Sequence, residues 1–223
     1  MIGSVKKHRI PAEGTLEMIL EGMVTSRNQE GEYNLAPMGP LVDQEMTQLV
    51  LRPFQTSRTC QNLKETRCGV FHVVDDVLLL TKAAIGRLES MPETFPAERI
   101  EGAVLQSACR WYEFEIESID DSDLRTVMQA RVVHQGRIRD FFGLNRAKHA
   151  VLEAAILATR THLIPQAELL QQYESLAEIV RKTAGPTETE AFRLLDEYVT
   201  RAYAELQSPF VLSTLTPARK SDP

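Results

Sequence analysis

The 223-residue sequence is poor in cysteine, tryptophan and glycine-rich phosphate motifs, and it contains no long hydrophobic run. Its three cysteines, Cys60, Cys68 and Cys109, form an odd set without metal-ligand spacing. Cys60 and Cys68 stand close enough in sequence to approach each other, but nothing in their spacing requires it. No apolar stretch reaches the roughly 20 residues of a membrane helix. Residues 1–30 lack the apolar core of a signal peptide, because Lys6-Lys7-His8-Arg9 leads only to Pro11 and Gly14. These absences point to the reducing cytoplasm and away from a membrane. A net charge of −6 and a pI near 5.5 argue against a general nucleic-acid binder. There is no dinucleotide glycine motif, P-loop, paired metal-ligand set or nucleophile triad, and neither an internal repeat nor a low-complexity block.

What is present is an ordinary globular composition, 43% hydrophobic and 25% charged, enough for one large domain or two modest ones with a substantial core. Residues 1–14 read as a loose arm. Residues 16–26 and 33–38 read as two strands of a hairpin, because Asn28 and Gly31 in the turn between them tolerate positive φ. Residues 47–54 form a third strand ending near Pro53. Residues 59–66 form a short helix with Thr59 as its N-cap, and 69–74 a dense apolar strand. Residues 77–84 fit strand or helix, and 86–97 read as a loop. Residues 108–120 alternate aromatic and charged side chains like a half-exposed strand, pairing with 124–136.

After Gly143 the pattern becomes helical. Residues 145–163 are rich in alanine and stop at Pro165, and 166–183 close at Gly185-Pro186. Thr187-Glu188-Thr189-Glu190 reads as a capping box opening a third helix to about Leu206. The expected division is a strand-rich domain over 1–142 built as a small antiparallel barrel, a helical subdomain over 143–208, and a disordered tail over 209–223.

Two polar clusters stand at strand ends. Thr56-Ser57-Arg58-Thr59 offers three hydroxyls and a guanidinium just before a helix start, where free N–H groups and the helix dipole favour an anion. A capped helix with a solvated arginine explains the same residues. In Asn34-Leu35-Ala36-Pro37-Met38, small side chains let a flat ligand approach the backbone, although a bulge ending an edge strand reads the same way.

The order of these clusters, with Val24-Thr25-Ser26, the Gly31 turn and Asn62-Leu63 with Thr66, resembles the FMN-binding split barrels. That superfamily includes flavin reductases and pyridoxamine-phosphate oxidases. With Phe142 to Ala150 (FGLNRAKHA) added, the pattern is most similar to the uncharacterised domain-of-unknown-function family 447. The resemblance covers roughly residues 16–163. It implies a mainly β fold with α, a split barrel followed by helices, binding FMN as a homodimer with its sites near the subunit interface. By the same resemblance Ser57, Arg58 and Thr59, with Thr56 beside them, hold the FMN phosphate. Asn34, Ala36, Pro37 and Met38 lie along the flavin ring, Thr25 and Ser26 supply a hydroxyl pair, and Asn62 faces the ribityl chain. The chain departs from the oxidases at Thr59, where they carry a second cation.

The remaining candidates each have a plain alternative. His72 lies in an apolar strand and reads as a satisfied core histidine ahead of a base. Arg146, His149 and Glu153 share one helical face, which helical ion pairing also explains. Trp111 and Tyr112 read as core ahead of flavin-stacking groups. Cys60 stands beside Arg58, whose charge favours a thiolate, but a single cysteine in a ligand turn is weak evidence for catalysis. Two functions follow as expectations. One is an FMN-dependent oxidoreductase or NAD(P)H:flavin reductase. The other is a non-enzymatic module using its pocket or helical surface for another ligand or a protein partner.

Overall fold

The structure, a computed structural model, describes residues 18–206. The expected N-terminal arm and the tail from Ser208 lie outside the described residues. The chain forms two compact units, one running up to Val74 together with Met91–Asp140, the other comprising Asp75–Ser90 and the residues from Phe141 onward.

The first unit is built on an eight-stranded antiparallel sheet. Its strands are β1 (Met18–Ile19), β2 (Gly22–Arg27), β3 (Tyr33–Met38), β4 (Leu41–Val42), β5 (Gln48–Leu51), β6 (Cys68–Val73), β9 (Arg110–Asp120) and β10 (Val127–Arg137). Helix α1 (Arg58–Thr66) precedes β6, and the pair β7 (Thr94–Pro96) and β8 (Ala103–Leu105) falls within the segment read as loop and just after it. The sheet order is β1-β4-β5-β10-β9-β6-β2-β3. Its two ends belong to one hairpin. The register runs without a slip from Arg27↔Tyr33 through Gly22↔Met38 and Ile19↔Leu41 to Met18↔Val42. Where the hairpin bends, the Leu20 N–H donates to the Pro40 carbonyl at 3.1 Å. Since β2–β3 pairs at one end of the sheet and β1–β4 at the other, the sheet must curl to accommodate both.

Two glycines make close approaches possible. A Cβ on Gly22 would lie 2.4 Å from the His72 carbonyl oxygen, so only glycine lets β2 lie flat against β6. A Cβ on Gly136 would fall 2.0 Å from the Trp111 ring, which covers the β10 backbone. Alternation along the strands creates two apolar layers. Val24, Leu49, Leu51, Phe71, Phe114 and Met128 fill the inside of the curl, where Cys60 and Leu63 of α1 join them. Each such side chain, fully buried, contributes about 1.5–3 kcal/mol. Val70, Val104 and Trp111 form the outer layer beneath β7–β8, with Phe95 edge-on to Trp111 at 5.5 Å. Trp111 and Tyr112 are therefore core residues.

In the second unit, residues 77–84 form helix α2 (Val77–Ala84), capped by Asp76, whose carboxylate accepts from the Leu78 and Leu79 N–H groups. Helix α3 (Arg146–Ala158) buries Ala147, Ala150, Val151, Ala154 and Ala158, side chains small enough for neighbouring helices to pack closely. It ends before Pro165, passing into turns at Thr159. The Tyr173 hydroxyl of α4 (Gln166–Thr183) donates to the Ala154 carbonyl at 2.7 Å. Helix α5 (Pro186–Leu206) starts earlier than the expected capping box. Pro186 occupies the first helical position, and the Glu188 carboxylate accepts from the Gly185 N–H at 2.9 Å. Among the described residues no helix is long and apolar enough to cross a membrane.

Candidate functional site

The α1 start is set by Ser57, not by Thr59 as the sequence pattern predicted. Ser57 has extended backbone, its Oγ accepts from the Cys60 N–H at 3.2 Å, and its own hydroxyl donates to the Phe54 carbonyl at 2.8 Å. Thr59 is instead buried inside the first turn, where its hydroxyl accepts from the Asn34 side-chain amide at 2.9 Å. The cap thus leaves the Arg58 and Thr59 N–H groups, at the first two helical positions, without an intramolecular partner among the described residues. Thr56 and Arg58 are exposed, and neither side chain makes a hydrogen bond or ion pair there. This donor set, a free guanidinium with two helix-start N–H groups and a free hydroxyl, fits a phosphate. The Ser57 hydroxyl shapes the turn and is already spent.

The hairpin carries the second cluster to the same helix. Ser26 pairs with Asn34 in register, and the Ser26 Oγ accepts from the Asn62 side-chain amide of α1 at 3.2 Å. Ser26, Asn34, Thr59 and Asn62 are therefore one connected group joining β2, β3 and α1. Beyond Asn34, Ala36, Pro37 and Met38 are half-buried on β3, the last strand of the sheet order. As an edge strand, β3 keeps alternate N–H and C=O groups unpaired, and Pro37 has no N–H to give. A planar ligand with its own donors and acceptors can lie against such an edge.

Thr25 does not join this group. Alternation turns its side chain to the other face of β2, where its hydroxyl donates to the Ala103 carbonyl at 2.6 Å and pins β8 to the sheet. His72 is fully buried. Its Nε2 accepts from the Leu105 N–H at 3.1 Å, so Nδ1 carries the proton and donates to the Met23 carbonyl at 3.2 Å. Burial pushes its pKa down to about 4, against an ordinary 6.5. It is a core histidine and offers no base. Cys60 is buried, with its Sγ against the Thr126 hydroxyl at 3.3 Å, and has no path to a ligand in the turn. Arg146, His149 and Glu153 lie exposed on α3, which belongs to the second unit. Among the described residues no group of three or more His, Cys, Asp or Glu side chains could hold a metal.

Beside Arg58 is a cavity of about 200 Å³ lined also by Asn62, Gln61, Tyr33 and the carboxylates Glu30, Glu32 and Glu65. Those carboxylates disfavour a phosphate in that cavity. A larger cavity of about 480 Å³ contains none of the residues expected to hold the cofactor; Arg27, Arg67 and Arg99 line it. Sequence reading missed these arginines because they come from separate segments with no shared local pattern.

Comparison with known proteins follows the same outline. The family described as Protein of unknown function (DUF447) N-terminal domain matches residues 20–139, and Protein of unknown function (DUF447) matches residues 145–197. The chain is similar to an FMN-bound protein of that family from Methanosarcina mazei, with 26% identity and a TM-score of 0.71 over 83% of this chain and 97% of that one. It also resembles the styrene monooxygenase flavin reductase from Pseudomonas putida, at 16% identity and a TM-score of 0.45 over 54% and 82% of the two chains. An FMN-binding protein from Thermus thermophilus stands at 13% identity and 0.46 over 62% and 81%. Likeness at the level of these last two carries no argument about function. The split β-barrel with C-terminal helices expected from the sequence is the fold of this chain.

Proposed function

The chain belongs to the DUF447 family, and on that premise we propose that it binds FMN and acts as a flavin-dependent oxidoreductase or flavin reductase in the cytoplasm. The observation that carries the proposal is the unpaired donor set at the α1 start, tied through Asn34–Thr59 and Ser26–Asn62 to the open edge of β3. Arg58, Thr56 and the Arg58 and Thr59 N–H groups receive the phosphate. Asn62 and Ser26 flank the ribityl chain, and Asn34, Ala36, Pro37 and Met38 support the ring. The FMN-bound relative supports the cofactor's identity. Bound FMN supplies the electron-transfer chemistry, and the protein supplies binding and orientation.

A homodimer is part of the same proposal. Thr56 and Arg58 are exposed and the β3 edge is open, so a second copy would cover the donor set and the strand edge together. The domain division at about residue 142 also stands as a proposal, with the segment 75–90 contributed to the helical unit. One observation favours a non-enzymatic binding module as the second reading: Ser26, Asn34, Thr59 and Asn62, the group that joins β2 and β3 to α1, include no acid–base side chain.

The test is an absorbance spectrum of the purified protein, followed by FMN titration and anaerobic mixing with NADH or NADPH. A flavin band that bleaches on mixing is expected. Bound flavin that never reduces favours the module, and a protein that ignores added FMN overturns both the cofactor and the site.

A further inference from the structure

The larger cavity lies at the other end of α1 from the Thr56–Thr59 turn, since Thr66, Arg67 and Cys68 form part of its wall. Nine helical residues separate the two places by about 13 Å. We propose that this cavity is a second ligand site, binding a small organic anion through a phosphate or carboxylate group, with Arg99 and Arg67 as the receiving cations. The proposal does not depend on the flavin reading.

Charge is the first support. Of the cavity's two carboxylates, Glu101 is paired with Arg27, and Glu115 accepts from Arg131 at 3.1 Å. Arg67 donates from Nη2 to the carbonyls of Ile116 and Glu117 at 2.9 and 3.1 Å, which orients the guanidinium without neutralising it. The Arg99 guanidinium makes no hydrogen bond or ion pair among the described residues. Two arginines therefore remain uncompensated in one concavity, with forked donors matched to phosphate or carboxylate. Ile100 and Ile116 provide an apolar surface for the ligand's body, and about 480 Å³ suits a small metabolite.

The second support is how firmly the wall is held. Glu113 is fully buried, and its carboxylate accepts from the N–H groups of Glu98 at 2.8 Å and Arg99 at 2.7 Å, and from the Trp111 indole at 3.2 Å. The Ala97 N–H donates to the Gly102 carbonyl at 2.9 Å and closes the same loop. A buried carboxylate satisfied only by N–H donors is costly, and what it secures is the position of the backbone bearing Arg99. Arg67 stands in left-handed backbone with φ 59, where glycine would sit with less strain. Its side chain, laid across β9, forms the facing wall.

The test is titration with inorganic phosphate and, separately, succinate, followed by NMR shifts of backbone amides and guanidinium groups. It uses an Arg58→Ala background, so that phosphate at the α1 start does not contribute. Saturable shifts centred on Arg67, Arg99 and Ile100 are expected, weakened about tenfold or more by adding Arg99→Ala. Response to phosphate alone, or to succinate alone, supports the proposal and identifies the group recognised. Arg99→Ala by itself should leave both the melting temperature and FMN affinity unchanged, which separates this site from the flavin site. Absence of a saturable shift at these residues with either anion overturns the proposal. So does equal affinity with and without Arg99 in a variant that melts normally.

Discussion

Replacing Arg58 by alanine isolates the phosphate contact from the rest of the fold. Arg58 is exposed, and its guanidinium makes no hydrogen bond or ion pair among the described residues. It stands at the first position of α1, where alanine is well tolerated. The stability of the flavin-free protein should therefore change by no more than about 0.5 kcal/mol. A charge-assisted hydrogen bond to phosphate is worth about 1.5–3 kcal/mol, or roughly 10- to 150-fold in Kd. Glu30, Glu32 and Glu65 share a cavity with Arg58 and lose their only cationic neighbour in its lining, so the upper half of that range is expected. The effect should shrink as salt screens those carboxylates. The assay is fluorescence titration of wild type and variant with FMN and with riboflavin, which lacks the phosphate. FMN should weaken while riboflavin stays unchanged. An equal loss for both flavins, or a loss for neither, refutes the assignment of Arg58 to the phosphate.

The buried His72 gives a pH prediction. Its folded pKa of about 4 lies below the ordinary 6.5, so the unfolded chain takes up the proton first as pH falls. Its contribution is complete above 6.5 and is lost as pH falls through about 4, on the order of 3 kcal/mol in all. Urea midpoints across that window and an imidazole NMR titration check it, and a folded-state midpoint near the ordinary 6.5 would refute it. Ser57→Ala removes the side-chain cap of α1 and should lower the stability of the flavin-free protein by about 1 kcal/mol, read from its urea midpoint. An unchanged midpoint would show that another group holds the Cys60 N–H.

Local chemistry determined much of this protein from the sequence alone. Gly31 and Asn28 marked the hairpin turn, alternation marked β9 and β10, and alanine content with Pro165 marked α3 and its surroundings. Each of these signals arises from backbone sterics or side-chain periodicity within a few residues, which is why it survives without a structure. The two polar clusters were legible as well, although their convergence on α1 was carried by a family resemblance. Only tertiary structure decided that one hairpin occupies both ends of the sheet and curls it, because strand order depends on non-local pairing that no segment encodes. It also turned Thr25 to the outer face, gave the α1 cap to Ser57 and spent Thr59 on Asn34. The same long-range pairing gathered Arg27, Arg67 and Arg99 around one cavity, three residues far apart in sequence that share nothing but the place where the chain brings them together.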